Sequence, residues 1–444
     1  MNTPITVSFQ EASQRKIMPL HGVNSGPMTK VFTYDTRPQF REAGFPYARL
    51  HDVEYPYGSG EFVDIHCIFP NFDADEAKEE SYNFSLTDLY LSHIIEVGCE
   101  PLFRLGESIE HAPIKRHIFP PKDFCKWARI CEHIIRHYTE GWANGFHWNI
   151  AYWEIWNEAD GSSKNNWQGT PEEFYEFYCV TATHLKRCFP HLKIGGCAFT
   201  RGVNEFTRGF FQYITSRKEK IPLDFYSWHR YFATVDTMLK ESRTVDELLA
   251  RYGYTNTESV FDEWNYMEDW NDQAESYRIL KAQKGAAFQA AVLCAMQQQT
   301  SISLATYFEA DVVKEWCGLF EVENMGIALQ KATVRPLKGF YAFKAFHALY
   351  QMGEGINVHT DNGHVYACAA KDNKRNAVLV ANYSETEAAV TLSLSDLCDL
   401  SLELRTVDKD HDFEVADTYR LSADHTTITI PMQANSFFYL GSKI

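Results

Sequence analysis

Two acidic stretches carry residue types able to break an acetal. One is Tyr152-Trp153-Glu154-Ile155-Trp156-Asn157-Glu158, and the other is Val260-Phe261-Asp262-Glu263-Trp264-Asn265. Each is a short apolar run that ends on polar groups. Side chains alternate along a strand, so Glu154 and Glu158 fall on one face and Asn157 on the other; at the strand end both Asn157 and Glu158 are free to face the mouth. By the same alternation Asp262 points away from Glu263. Double displacement at an acetal needs two carboxyl groups about 5–5.5 Å apart, one delivering a proton and one attacking carbon. The residues therefore nominate Glu158 and Glu263 as the pair. An arbitrary strand-end Glu is more often a solvated cap or an ion-pair partner, but Asn157 and Trp156 beside Glu158 weigh against that here.

Such a pair must be positioned by a scaffold, and the chain alternates short apolar runs with longer amphipathic ones from about residue 17 to about residue 350. That is the pattern of repeated β/α units around a parallel sheet. Candidate strands are Lys16–Val23, Tyr47–Asp52, Glu100–Gly106, Ile150–Asn157, Leu192–Ala198, Leu223–His229, Ser259–Trp264 and Ile302–Glu309. Eight strands suffice for a closed (β/α)8 TIM barrel, an α/β fold whose active site lies at the carboxyl ends of its strands. Phe124, Trp127, Cys131, Ile134, Ile135 and Tyr138 recur three and four apart, so one helical face can lie on the sheet. Ser85 with Asp88 reads as a capping box and Gly98 as the matching stop. Further helices are expected at Pro171–Phe189, Val235–Tyr252, Glu275–Gln299 and Arg335–Tyr350, and the stretch from Val53 to Tyr82 reads as a loop over the cleft.

After Met352 the pattern becomes period-two alternation, as in His364–Ala370, Ala377–Tyr383, Ala388–Leu394 and Thr426–Pro431. This reads as a smaller antiparallel β-sandwich, to which Ile5–Phe9 adds a strand. The expected division is a barrel over residues 16–350 and an accessory sandwich from residues 1–15 plus 351–444.

Composition narrows the function classes. The chain has 444 residues, 45 % hydrophobic and 23 % charged, enough for a large core. Its aromatic content of 15 % fits either a large core or a cleft in which rings stack on sugars. A formal net charge of −17 works against nucleic-acid binding, which needs a basic stripe. No apolar run is long enough to span a bilayer, and the first residues lack a signal-peptide pattern, so no membrane partner and a cytoplasmic location are expected. Eleven single cysteines without a CxxC pair read as buried thiols rather than a metal centre. The proposed chemistry requires no metal or organic cofactor.

Together, the Trp-Asn-Glu strand end and the later Asp-Glu-Trp-Asn strand end resemble the clan A glycoside hydrolases, within them family 39, which includes β-xylosidases and α-L-iduronidases. Arg49-Leu50-His51-Asp52 is similar to that family's Arg-x-His motif, and Ser227-Trp228-His229-Arg230-Tyr231 to its strand-six Ser-x-His-x-Tyr. The resemblance covers the whole chain. It implies a retaining enzyme acting on a terminal sugar, β-xylosidase-like, with an oligosaccharide or glycoside as substrate. On that footing Glu158 is the general acid/base and Glu263 the nucleophile, Asn157 holds the sugar 2-hydroxyl, Arg49 and Tyr231 keep Glu263 ionised, and His229 contacts sugar or nucleophile. His51 and Trp264 join the substrate-binding set. The chain departs from the pattern at strand eight: Tyr307 stands where Trp is expected and Lys314 where a Glu is, with Glu315 alone matching.

Bland readings stay beside these. Arg49, His51 and His229 also fit hydrogen-bonded polar groups of a barrel core, and Trp156, Trp264 and Trp316 fit ordinary packing. An endo-glycanase or an exo-glycosidase for arabinose, galactose or a uronide shares the chemistry. A non-catalytic carbohydrate-binding protein is disfavoured by retention of both acids, and a lyase or aldolase by the lack of strand-end lysines or metal ligands. Self-association into a homo-oligomer is left open.

Overall fold

Eight short strands close on themselves in chain order: β1 (Gly22–Asn24), β2 (Tyr47–Arg49), β3 (Glu100–Leu105), β4 (Tyr152–Ile155), β5 (Lys193–Phe199), β6 (Phe225–Phe232), β7 (Glu258–Tyr266) and β8 (Leu304–Tyr307). Every neighbouring pair is parallel, including β8 with β1, which closes the barrel. The coordinates are a computed structural model that describes residues 2–13, 15–30, 34–53, 61–310, 317–324, 332–360, 363–422 and 426–444.

The outer layer follows from helical periodicity. The helix Phe124–Glu140 starts where the Asp123 side chain accepts from the Lys126 amide and stops at Gly141, which adopts φ 77°. It buries Trp127, Ile130, Cys131, Ile134, Ile135 and Tyr138 on one face, each worth about 1.5–3 kcal/mol of transfer free energy. The helix Pro171–Cys188 opens with Thr170 and Glu173 in a reciprocal capping box and Pro in the first turn.

Several expected boundaries differ. The stretch Glu275–Gln299 is two helices, Gln273–Lys281 and Gln283–Gln299, separated by Ala282 in extended backbone. The final helix runs Phe340–Met352, because Thr333–Pro336 instead pairs with Phe320–Glu323. Ser85 begins the helix Ser85–Glu96 but makes no side-chain cap; Asp88 accepts from His137 and Tyr138, each at 3.0 Å, instead. Sequence periodicity missed Arg37–Ala43 and Glu205–Thr215. The expected loop over residues 53–82 contains the short helix Ile65–Ile68, and its residues 54–60 lie outside the described residues.

Beyond the barrel, two sheets face each other. The strand Asn2–Ser8 lies in a four-stranded sheet, parallel to Ala388–Ser395, which pairs antiparallel with Thr426–Met432. The other sheet has six strands, with Asn376–Asn382 and Ser436–Gly441 at its centre. Alternation puts Val378, Val380, Phe438 and Leu440 between the sheets, with Ile5, Val7, Val390 and Leu392 from the opposite side. The alternate apolar residues of Asn376–Asn382 and Ser436–Gly441, among them Leu379, Phe437 and Tyr439, belong to the same apolar cluster as the barrel's helices. The helix Gln283–Gln299 lies between barrel and sheet, which is why its sequence is apolar on nearly every side.

Candidate active site

The regular strand β4 stops at Ile155, and the backbone then kinks, with Trp156 at φ 70° and Glu158 at φ 45°. Left-handed backbone at two non-glycine residues is uncommon and costs free energy. The surrounding structure holds it in place: the Trp156 amide donates to the Leu105 carbonyl at 2.8 Å, the Glu158 amide to the Ala198 carbonyl at 2.9 Å, and the Trp156 indole N–H to the Asn166 carbonyl at 2.8 Å. The kink turns both Asn157 and Glu158 towards the barrel mouth.

Strand β7 contains a bulge. Phe261 pairs with Trp228 and Glu263 with His229, leaving Asp262 as an extra residue between them. Strict alternation predicts that Asp262 points away from Glu263; with the bulge, both reach the same arginine. Asp262 Oδ2 lies 3.1 Å from Arg49 Nε, and Glu263 Oε2 accepts from Arg49 Nη1 at 3.1 Å.

Arg49, fully buried at the end of β2, is the hub of the site. It donates also to Glu154 at 2.8 Å, to Asn24 Oδ1 at 3.1 Å and to Asn157 Oδ1 at 2.7 Å. Burial works against its charge, but Glu154, Asp262 and Glu263 outweigh that and hold the guanidinium firmly protonated. Burial likewise pushes Glu154 up, yet Arg49 brings it below the usual carboxylate range. Asp262 moves the other way: burial and the neighbouring Glu154 charge push it well above that range.

Glu158 and Glu263 face each other across this hub. One carboxylate oxygen of each, with a ring nitrogen of His229, lie within 4.8 Å of one another. His229 Nδ1 stands 2.8 Å from Glu158 Oε1 and 3.6 Å from Glu263 Oε2. Glu158 Oε2 accepts from Asn166 Nδ2 at 3.1 Å. Burial, reinforced by the Asp160 charge, pushes the Glu158 carboxyl up to about 7. Burial also lowers His229 to about 4, so the ring is neutral at neutral pH. Glu263 Oε1 accepts from the Tyr231 hydroxyl at 2.5 Å. The expected contacts from Arg49 and Tyr231 to Glu263 are thus both present, but burial outweighs them and His229, so the Glu263 carboxyl is raised rather than lowered.

The structure brings together Glu158, Glu263, Asn157, Arg49, His229 and Tyr231. His51, just beyond β2, is buried with Nε2 3.5 Å from Asp52 Oδ1, at the rim of the cluster. Asp52 is itself pushed up to about 7, mainly by burial. Two expectations are corrected. Trp264 and Tyr307 are fully buried, and their rings pack on each other and on Phe343 of the helix layer. They back the barrel wall rather than line the cleft, because each lies on the outward side of its strand. Trp156 and Trp167 are likewise packing groups, against Phe177 and one another. Lys314, Glu315 and Trp316 lie outside the described residues.

Sequence reading missed Asn24, Glu154, Asn166 and Trp270. Asn24 ends β1 as Asn157 ends its own run, so the strand-end rule had a signal for it. Glu154 sits in mid-strand, and only the fold reveals its arginine partner. Trp270 follows β7, is 54 % exposed, and sets its ring edge-on to Tyr231 at 5.0 Å.

Three side-chain groups among the described residues have spacing suited to a metal ion: Glu158 with His229 and Glu263, Asp64 with His66 and Glu107, and Glu132 with His184 and Cys188. Arg49 against Glu263, Arg104 against Asp64 and Arg136 against Glu132 already neutralise a carboxylate in each.

A closed parallel barrel with two facing carboxyl groups at its mouth defines the class: a barrel enzyme with a paired-acid centre. The family model described as Glycosyl hydrolases family 39 matches residues 20–375, and the chain belongs to that family. It is a glycoside hydrolase. It is 24 % identical over 363 residues to a β-xylosidase of Geobacillus stearothermophilus, covering 73 % of this chain and 67 % of that one. It is 25 % identical over 245 residues to a β-xylosidase of Caldicellulosiruptor saccharolyticus, spanning 52 % of this chain and about half of the relative, 46 %. Among solved structures, a glucosidase from Croceicoccus marinus superposes with a TM-score of 0.81 at 21 % identity, covering 100 % of this chain and 99 % of that one, a likeness of fold. No helix among the described residues is long and apolar enough to cross a membrane.

Proposed function

We propose that the chain is a retaining exo-glycosidase, β-xylosidase-like, working by double displacement with Glu263 as nucleophile and Glu158 as acid/base. The observation that carries this reading is the approach of a Glu158 and a Glu263 oxygen to within 4.8 Å. A direct-attack enzyme needs its carboxyl groups about 5–5.5 Å apart, whereas one that fits a water between them needs about 6.5–9.5 Å. Glu263 attacks the anomeric carbon while the Glu158 proton passes to the departing oxygen, which keeps the electron pair of the broken bond. Glu158, now a carboxylate, takes a proton from water, and the resulting hydroxide oxygen displaces Glu263 from the sugar. The raised Glu158 carboxyl suits a group that must be acid first and base second. Asn157 Nδ2 is a buried donor with no hydrogen-bond partner among the described residues, and it is suited to a sugar 2-hydroxyl.

Proton NMR of the first-formed anomer tests the stereochemistry: retention is expected, and an inverted product excludes double displacement. A 2-fluoro glycoside should label Glu263, read as an added glycosyl mass on its peptide. Xylose is the first sugar to try, given the two β-xylosidase relatives. Glucose is the second, because the superposed glucosidase matches this chain over almost its full length. Aryl glycosides of both sugars separate the two.

A further inference from the structure

Asn166 lies in the loop that joins β4 to the helix Pro171–Cys188, and the double-displacement scheme gives it no task. Its Nδ2 donates to Glu158 Oε2 at 3.1 Å. The residue is only 4 % exposed, and its Oδ1 is buried with no hydrogen-bond partner among the described residues. A buried amide that leaves one of its polar atoms unpaired costs the fold free energy. Among the described residues Glu158 is the one hydrogen-bond partner of this side chain, so the fold gains little from the amide beyond that contact. We propose that Asn166 is a positioning residue that, by donating to Glu158 Oε2, holds the carboxyl group in place and stabilises the carboxylate needed as base in the second, hydrolytic step.

The backbone holds the amide still. The Asn166 carbonyl accepts from the Trp156 indole N–H at 2.8 Å, so the residue is tied to the same kink that aims Glu158. On either side the loop after β3 is fastened to it: the Glu110 amide donates to the Asn165 carbonyl and the Gln168 amide to the Ile118 carbonyl, each at 2.9 Å. The direction of the bond follows from the groups, since a side-chain amide nitrogen only donates and a carboxylate only accepts. Such a donor binds an ionised carboxyl more strongly than a neutral one. His229 Nδ1, 2.8 Å from the other oxygen, belongs to a neutral ring that can donate or accept there, so it does not by itself favour one charge state. The other charged or titratable groups facing Glu158 are Asp160 on its own loop, Arg49 from β2, Tyr231 from β6 and Glu263 from β7. All of them stay in place when Asn166 is replaced. Burial and the Asp160 charge raise the carboxyl, and Asn166 acts with Arg49 against them.

The inference rests on Glu158 being the acid/base, and the test separates the two. In the full chain, Asn166→Leu fills similar space without a donor and keeps the backbone carbonyl. Its Tm at pH 5 should be no lower than the parent's, because an apolar group replaces a half-paired buried amide. The substrates are dinitrophenyl and alkyl xylosides, or glucosides should that sugar be the one hydrolysed. On the dinitrophenyl glycoside, whose departure needs no proton, hydrolysis of the glycosyl-enzyme limits the rate. There kcat and KM are expected to fall together about tenfold, with kcat/KM nearly held, and azide, which attacks without a base, should restore kcat. On the alkyl glycoside the alkaline limb of kcat/KM should move up by about one pH unit, because Glu158 loses a donor to its ionised form. An unmoved limb, or a loss of kcat/KM alike on both substrates with a lowered Tm, overturns the proposal. Asn166→Ser carries the same kinetic expectations if the Leu variant does not fold, and failure of both to fold marks a structural role and also overturns it. Glu158→Ala tests the assignment beneath: azide rescue and a steep dependence on the leaving group are expected. Their absence removes the acid/base reading and this inference with it, whereas a silent Asn166 variant beside a normal Glu158→Ala response removes this inference alone.

Discussion

The Glu158 carboxyl sits near 7, against an ordinary value of 4.5, and that one displacement ties activity to stability. Its protonated form delivers the proton, so kcat/KM should fall as pH rises through about 7, measured on a substrate with a poor leaving group. A folded-state pKa above the unfolded one means that the folded chain binds this proton more tightly. The associated stability is full below about 4.5 and is lost as pH rises through about 7, an effect on the order of 3 kcal/mol. Glu158→Gln should therefore raise Tm relative to the parent chain at pH 8 and leave it nearly unchanged at pH 4, as calorimetry would show. Arg49 gives the opposite case. Removing it leaves Glu154, Asp262 and Glu263 facing one another without a cation, so Arg49→Met should destabilise by about 3–5 kcal/mol as well as impair turnover. Thermal melts of that variant should show the loss even without substrate.

Elements place these residues through local exceptions to regularity. The kink after β4 and the bulge in β7 each break strict alternation at the point where two adjacent polar residues must face one cavity. The tryptophans that alternation and resemblance brought to notice, Trp264 and Trp156, went to the packed side, and the exposed ring at the mouth is Trp270. Its partly exposed ring next to Tyr231 suits contact with a sugar. Trp270→Ala should raise KM for an oligosaccharide several-fold while leaving Tm within about 1 kcal/mol of stability equivalence, since an exposed side chain contributes little to folding. The helix start at Pro171 was legible and carries a reciprocal capping box of Thr170 and Glu173, whereas the equally complete box of Asn204 and Thr207 before Glu205 went unread. Thr170→Ala should cost about 1 kcal/mol, seen as a lowered Tm with unchanged kcat. The signal misled at Ser85, because Asp88 found tertiary partners in His137 and Tyr138.

At the scale of the whole molecule, the six-stranded sheet shares its core with the barrel's helices, so the two do not stand as separate bodies. Phe437 and Leu379 lie in that shared layer, both fully buried. Phe437→Ala should cost about 3–5 kcal/mol and lower a single cooperative transition in calorimetry, rather than split off an early-melting sheet. The surface thiols apart, most cysteines are buried, and Cys294 and Cys368 meet across this same layer with their sulfurs 3.4 Å apart.

Local covalent pattern alone was enough to determine the order of eight strands, the change to a sandwich after residue 352, and the two acids at strand ends, because burial on one face imposes a period that sequence records. The N-terminal strand was also legible from its alternation, though its parallel partner Ala388–Ser395 was not. Tertiary structure decided which residues meet. Arg49 on β2 gathers groups from β1, β4 and β7 at once, Asp262 turns inward only through a one-residue bulge, and the Glu158 carboxyl rises because the folded barrel takes it largely out of water. Those properties depend on distances between remote segments and on local dielectric, neither of which any stretch of the chain carries by itself.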